Sequence, residues 1–65
     1  MKWQDYITTD DKILAGKPII KGTRLSVEFI LELLAEGWSM QQIIKNYPAL
    51  SYKSLNAVFA YTKCQ

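Results

Sequence analysis

Histidine is absent from this 65-residue chain, and cysteine occurs once, at Cys64. No His/Cys set exists for zinc, and an internal disulfide is excluded. Acid–base chemistry loses its commonest side chain, the lone thiol sits one residue from the end, and no two carboxylates are marked by spacing as a catalytic pair. The expectation is a protein that is not an enzyme and holds no metal or cofactor. Long apolar runs are missing too, so neither a membrane span nor a signal peptide is visible. A cytoplasmic location is the resulting expectation, with Cys64 a free thiol in a reducing compartment.

Acids are missing from the second half. All six (Asp5, Asp10, Asp11, Glu28, Glu32 and Glu36) lie in the first 36 residues against five bases, a balance of −1. After Glu36 come Lys45, Lys53 and Lys63 and no acid, a balance of +3. A surface facing phosphates needs that distribution. Chance can also empty 29 residues of acids, so the pattern alone decides nothing.

Hydrophobic residues make up 49% of the chain, which places it among folded rather than disordered sequences. Its length allows one domain, 1–65, with short strands and turns over 1–25 and three helices over 26–65. A domain this small buries only about 60% of its unfolded surface and usually needs extra support. With disulfide and metal excluded, the support expected is a second copy, giving a homodimer.

The chain is organised around 16–27, Gly16-Lys17-Pro18-Ile19-Ile20-Lys21-Gly22-Thr23-Arg24-Leu25-Ser26-Val27. Glycine, proline and β-branched residues here predict a strand over 18–20 and a turn at Gly22-Thr23. A phosphate-binding loop does not fit. Gly16 and Gly22 are six apart instead of five, and Thr23 stands where lysine is required. Gly16, Pro18, Gly22 and Thr23 are therefore read as backbone geometry. Arg24 is read as structural, with a carboxylate partner inside a dimer, or else as a contact to DNA backbone alongside Lys21.

Before that stretch, β propensity predicts a strand over 6–9, a turn at Asp10-Asp11 and an extended piece at Ile13-Leu14. Such strands are too short to stand alone. Trp3 and Tyr6 either pack across a dimer, where strand edges also pair, or against helices of their own chain.

After it, helix signals are explicit. Ser26 caps a helix over 27–36, with Glu28 in its first turn and Gly37 ending it. Val27, Ile30, Leu31 and Leu34 form its expected core face, and Glu28, Glu32 and Glu36 a solvated or partner-facing acidic stripe. Ser39-Met40-Gln41-Gln42 is a capping box, with Trp38 and Ile43 placed as a hydrophobic staple. This second helix closes near Asn46, because Tyr47 precedes Pro48. A third helix starts after Ser51, with Leu50 and Leu55 as its staple. Leu55, Val58, Phe59 and Thr62 are its expected core side. Lys53, Asn56, Ala57 and Ala60 lie opposite, with Tyr52 at the border.

Two helices joined by a turn over 47–51 have the form of a helix-turn-helix. The start of its second helix meets base edges in the major groove. Ser51, Tyr52, Lys53 and Asn56 stand there. Asn can pair with adenine, Lys can meet guanine or phosphate, and small Ala57 and Ala60 permit close approach. Lys45 and Lys63 complete the candidate surface. The same spacing also occurs in plain helical domains that bind no DNA.

The motifs Gly16-Lys17-Pro18-x-Ile20-x-Gly22-Thr23-Arg24-Leu25-x-Val27, Glu36-Gly37-Trp38-Ser39 and Tyr47-Pro48-Ala49-Leu50-Ser51 together resemble the signature of a bacterial family of small proteins of unknown function. The match covers about 6–61. The resemblance implies an α+β, mainly α, homeodomain-like helix-turn-helix fold. It also implies similarity to antitoxins of VapB type, which neighbour nuclease toxins of PIN type. Double-stranded operator DNA, a second copy and such a toxin are then the expected partners. A protein-interaction module that inhibits the toxin without touching DNA is the alternative. Two departures are that members often carry Gly where Ala49 stands, and that many continue past Gln65, commonly with the toxin-binding segment.

Overall fold

The structure, a computed structural model, describes residues 2–63. Cys64, expected as a free thiol, lies outside the described residues. The order is a 3-10 turn Trp3–Asp5, strand β1 Ile7–Thr8, a tight turn Leu14–Gly16, strand β2 Ile19–Ile20, and helices α1 Val27–Ala35, α2 Met40–Asn46 and α3 Tyr52–Lys63. This is the expected α+β, mainly helical arrangement.

β1 and β2 pair antiparallel, with Ile7 opposite Ile20 and Thr8 opposite Ile19. Pro18 stands just outside β2, since it has no N–H to give; its carbonyl accepts the Val27 N–H at 3.0 Å. Gly22 turns the chain at φ +79°, a region costly for side chains with a Cβ. Thr23 then locks the turn. Its hydroxyl donates to the Ile20 carbonyl at 2.8 Å and accepts the Leu25 N–H at 3.0 Å. The structural reading of Gly22 and Thr23 therefore has a physical basis. Arg24, next in line, is exposed and has no carboxylate partner among the described residues.

The Asp10 turn is present, with its carbonyl and carboxylate accepting from Ile13 and Lys12 at 2.8 and 2.9 Å. The next residues are not extended as expected. Leu14, Ala15 and Gly16 all take positive φ, 51°, 55° and 80°. Two non-glycine residues in the left-handed region cost about 1–2 kcal/mol each, so no propensity argument points there. Glycine at 16 also avoids crowding, because a Cβ there would sit 3.1 Å from Asp11 Oδ1.

The helix ends obey their local signals. Ser26 Oγ accepts the Phe29 N–H at 2.9 Å. Past Ala35, the Trp38 N–H donates to Leu33 O and the Gly37 N–H to Leu34 O, both at 3.1 Å, with Gly37 at φ +99°. Those bonds form a Schellman ending. α1 buries Val27, Ile30 and Leu33; Leu31 and Leu34 are only half-buried, which moves the core face by part of a turn. The α2 capping box is complete, with Ser39 N–H to Gln42 Oε1 at 2.8 Å and Gln42 N–H to Ser39 Oγ at 3.1 Å.

Trp3 and Tyr6 pack within the chain. The Trp3 ring meets Tyr61 edge-on at 4.9 Å, and both aromatics lie against the core. No helix among the described residues is long and apolar enough to cross a membrane.

Two substitutions test this packing. Thr23→Val keeps the shape but leaves the Leu25 N–H without its acceptor; a loss of about 1–2 kcal/mol is expected in denaturant melts. Leu50, 3% exposed, lies in the same core as Leu55. Leu50→Asp should cost at least about 3 kcal/mol, most of what so small a domain has. A circular-dichroism melt unchanged by Leu50→Asp would place that side chain in solvent instead.

Candidate nucleic-acid interface

The turn between α2 and α3 is held from both ends. Tyr47 donates its N–H to Ile43 O at 2.8 Å, closing α2, and the Leu50 N–H returns to Tyr47 O at 2.9 Å. Pro48 forbids continuation of the helix, and Tyr47 leaves helical geometry at φ −128°, ψ 77°. The Tyr47 ring meets Phe29 of α1 edge-on at 5.6 Å, tying the turn to the first helix. Ser51 caps α3, its Oγ accepting the Ser54 N–H at 3.2 Å. Leu50 and Leu55 are buried on either side of that cap, as a staple requires. The angle at which α3 leaves is thus set by three kinds of restraint.

The inward side of α3 buries Ser54, Leu55, Ala57 and Val58. Its outward side carries Tyr52, Lys53, Asn56, Phe59 and Lys63, all exposed. Tyr52, Asn56, Phe59 and Lys63 are spaced at steps of four, three and four, which makes a single stripe, with Lys53 beside its start.

Three expected assignments change, the first being Thr62, which was expected on the core side and is exposed. Ala57, expected on the open side, is fully buried and cannot admit a close approach; Ala60 is half-buried at the border of the stripe. Phe59, expected in the core, is 38% exposed on the outward side. The N-terminal segment is the reason. The Trp3–Asp5 turn and β1 pack on α3, with Trp3 against Tyr61, covering a side that a helices-only arrangement leaves open. Small Ser54 and Ala57 are both buried there. Phe59 joins the outward stripe, where the sequence reading had not put it. Its signal was its offset of seven from Tyr52 and three from Asn56, outweighed by its hydrophobicity.

Lys45 is exposed in the last turn of α2, close in sequence to the turn, and Lys53 and Lys63 are exposed on α3. None of the three has a carboxylate within ion-pair distance among the described residues. Ser51 spends its oxygen on its own helix. Trp3, Tyr6, Gly16, Pro18, Gly22 and Thr23 belong to the folded frame and bring no chemistry to α3's outward stripe. Glu28 borders a groove with Tyr61 and Thr62 and is met by Lys17 at 3.2 Å, which offsets its charge. No set of three or more His, Cys, Asp or Glu side chains is grouped for a metal ion among the described residues.

Comparison with known sequences matches residues 7–62 to a family described as "Protein of unknown function (DUF433)". A curated relative, "Uncharacterized protein y4eO" of Sinorhizobium fredii (strain NBRC 101917 / NGR234), is 25% identical over 60 residues. The alignment covers 92% of this chain and 27% of the relative, so the chain spans about a quarter of that protein's length. No solved structure matches the chain.

The division of α3 into two sides is open to a direct test. Ala57→Leu should overpack the inner side and cost about 1–3 kcal/mol. Asn56→Ala, one residue away but outward, should stay within about 0.5 kcal/mol of the parent in the same urea titration. Reversal of that order would rotate the helix from the orientation described.

Proposed function

From the geometry of α3 we propose that this chain, which belongs to the family described as Protein of unknown function (DUF433), is a DNA-binding transcriptional regulator without enzymatic activity. It reads double-stranded operator DNA with α3 in the major groove. In keeping with the resemblance to VapB-type antitoxins, it represses its own operon, working as a homodimer so that two copies of α3 meet two half-sites.

The observation that carries this reading is the outward stripe of α3. A restrained helix-turn-helix presents Lys53 and Asn56 near the helix start, both exposed, on a helix without a single acid. Asn56 suits the paired donor and acceptor of adenine, and Lys53 a guanine edge or a phosphate. Lys45 and Lys63 add positive charge for backbone contacts.

A second reading rests on one feature of the same stripe. Tyr52 and Phe59 are 49% and 38% exposed, and exposed aromatics also anchor protein partners. On that reading the chain binds and inhibits a PIN-type nuclease toxin directly.

Two substitutions separate the roles. Asn56→Ala should lose about 1–3 kcal/mol on the protein's own promoter fragment and relax preference at one base pair. Lys53→Ala, if it grips phosphate, should weaken promoter and scrambled DNA alike and flatten the salt dependence by about one unit of slope. Binding measured across a salt series distinguishes these outcomes. A parent protein with no preference for its promoter over scrambled DNA would give the stripe to the protein-partner reading.

A further inference from the structure

Phe59 has no polar atom in its side chain, yet it stands outward on α3, 38% exposed, in one line with Asn56 and Lys63. Leu55 and Val58 beside it in the sequence are fully buried, whereas Phe59 is not among the side chains packed against the core. What such a ring can meet depends on the chemistry facing the stripe.

In the major groove, base edges present donors and acceptors with one apolar exception, the C5-methyl group of thymine. Asn56 and Phe59 are three residues apart, a rise of about 4.5 Å along a helix. Stacked base pairs are about 3.4 Å apart, so the two side chains fall on neighbouring pairs of one site. Lys53 and Lys63 flank them, and neither faces a carboxylate within ion-pair distance among the described residues. Positive charge at both ends with a phenyl ring between them fits a base edge that is apolar at one point and surrounded by phosphates.

We infer that Phe59 is a specificity-determining residue that reads the C5-methyl group of a thymine, on the base pair next to the one read by Asn56. The inference rests on the DNA-binding reading above and adds to it the composition of the site: an adenine contact and a thymine methyl side by side. Tyr52, at the start of the stripe, carries a hydroxyl that can also hydrogen-bond. Phe59 offers only its ring.

The test uses the promoter duplex made twice, once with thymine and once with deoxyuridine at every thymine position, which removes the methyl groups and keeps the pairing. Burying one methyl group is worth about a fourfold change in affinity. The parent protein should bind the thymine duplex about fourfold more tightly. Phe59→Ala should bind both duplexes equally, at or below the parent's affinity for the uracil form. Phe59→Leu, which keeps an apolar side chain, should retain part of the preference and show that loss of folding is not the cause. No thymine preference in the parent, or a preference that survives in Phe59→Ala, overturns the inference while leaving promoter binding intact. Loss of promoter specificity altogether overturns both this inference and the reading beneath it.

Discussion

The inner side of α3 is the surface that the other elements share. The Trp3–Asp5 turn, β1, α1 and α2 all pack on it, and Leu55, Ala57 and Val58 are without solvent exposure there. In a chain of this length no second core exists to take over. α3 therefore cannot rotate about its axis without unpacking several elements together. Its start is fixed by the Ser51 cap and by Leu50 and Leu55, so it cannot slide either. The helix is held in place because four other elements pack on it.

That constraint decides what is left for function. Once the inner side is committed, the residues that remain are those the packing turns outward, and these include both polar and aromatic side chains. The acid-free composition of α3 is a property of the sequence, but its value depends on orientation. Had Lys53 and Asn56 shared a side with Leu55, the same composition would have meant buried charge. The Lys17–Glu28 pair works in the same direction, since it offsets the one acid that borders the groove beside Tyr61 and Thr62.

What could be read from the sequence is what depends on short range. The capping box Ser39–Gln42, the Gly37 ending, the Ser26 and Ser51 caps and the break before Pro48 each involve atoms within a few residues, and the structure contains all of them. What escaped depends on contacts distant in sequence. The left-handed run at Leu14 and Ala15 is imposed by the surrounding loop against the preference of both residues. The exchange between Ala57 and Phe59 has the same origin. Trp3 and Tyr61 stand near opposite ends of the chain, and no periodicity within 52–63 reports that an aromatic from the other end will cover one side of the helix. The candidate site was legible at Lys53 and Asn56, whose polarity agrees with their exposure. It was illegible at Phe59, where the two conflict.

Such a conflict has a physical cost, and the cost bears on interpretation. An exposed phenylalanine on a small domain adds apolar surface that favours association. A partner that offers an apolar atom in a polar setting would give that ring a contact. Both partners considered for the stripe do so, a protein surface broadly and the major groove at a single methyl group. They differ in what the neighbours of Phe59 should be. A protein anchor is best ringed by residues that exclude water, whereas a base-reading ring is best flanked by hydrogen-bonding and positive groups. Asn56 and Lys63, the stripe residues on either side of Phe59, are of the second kind.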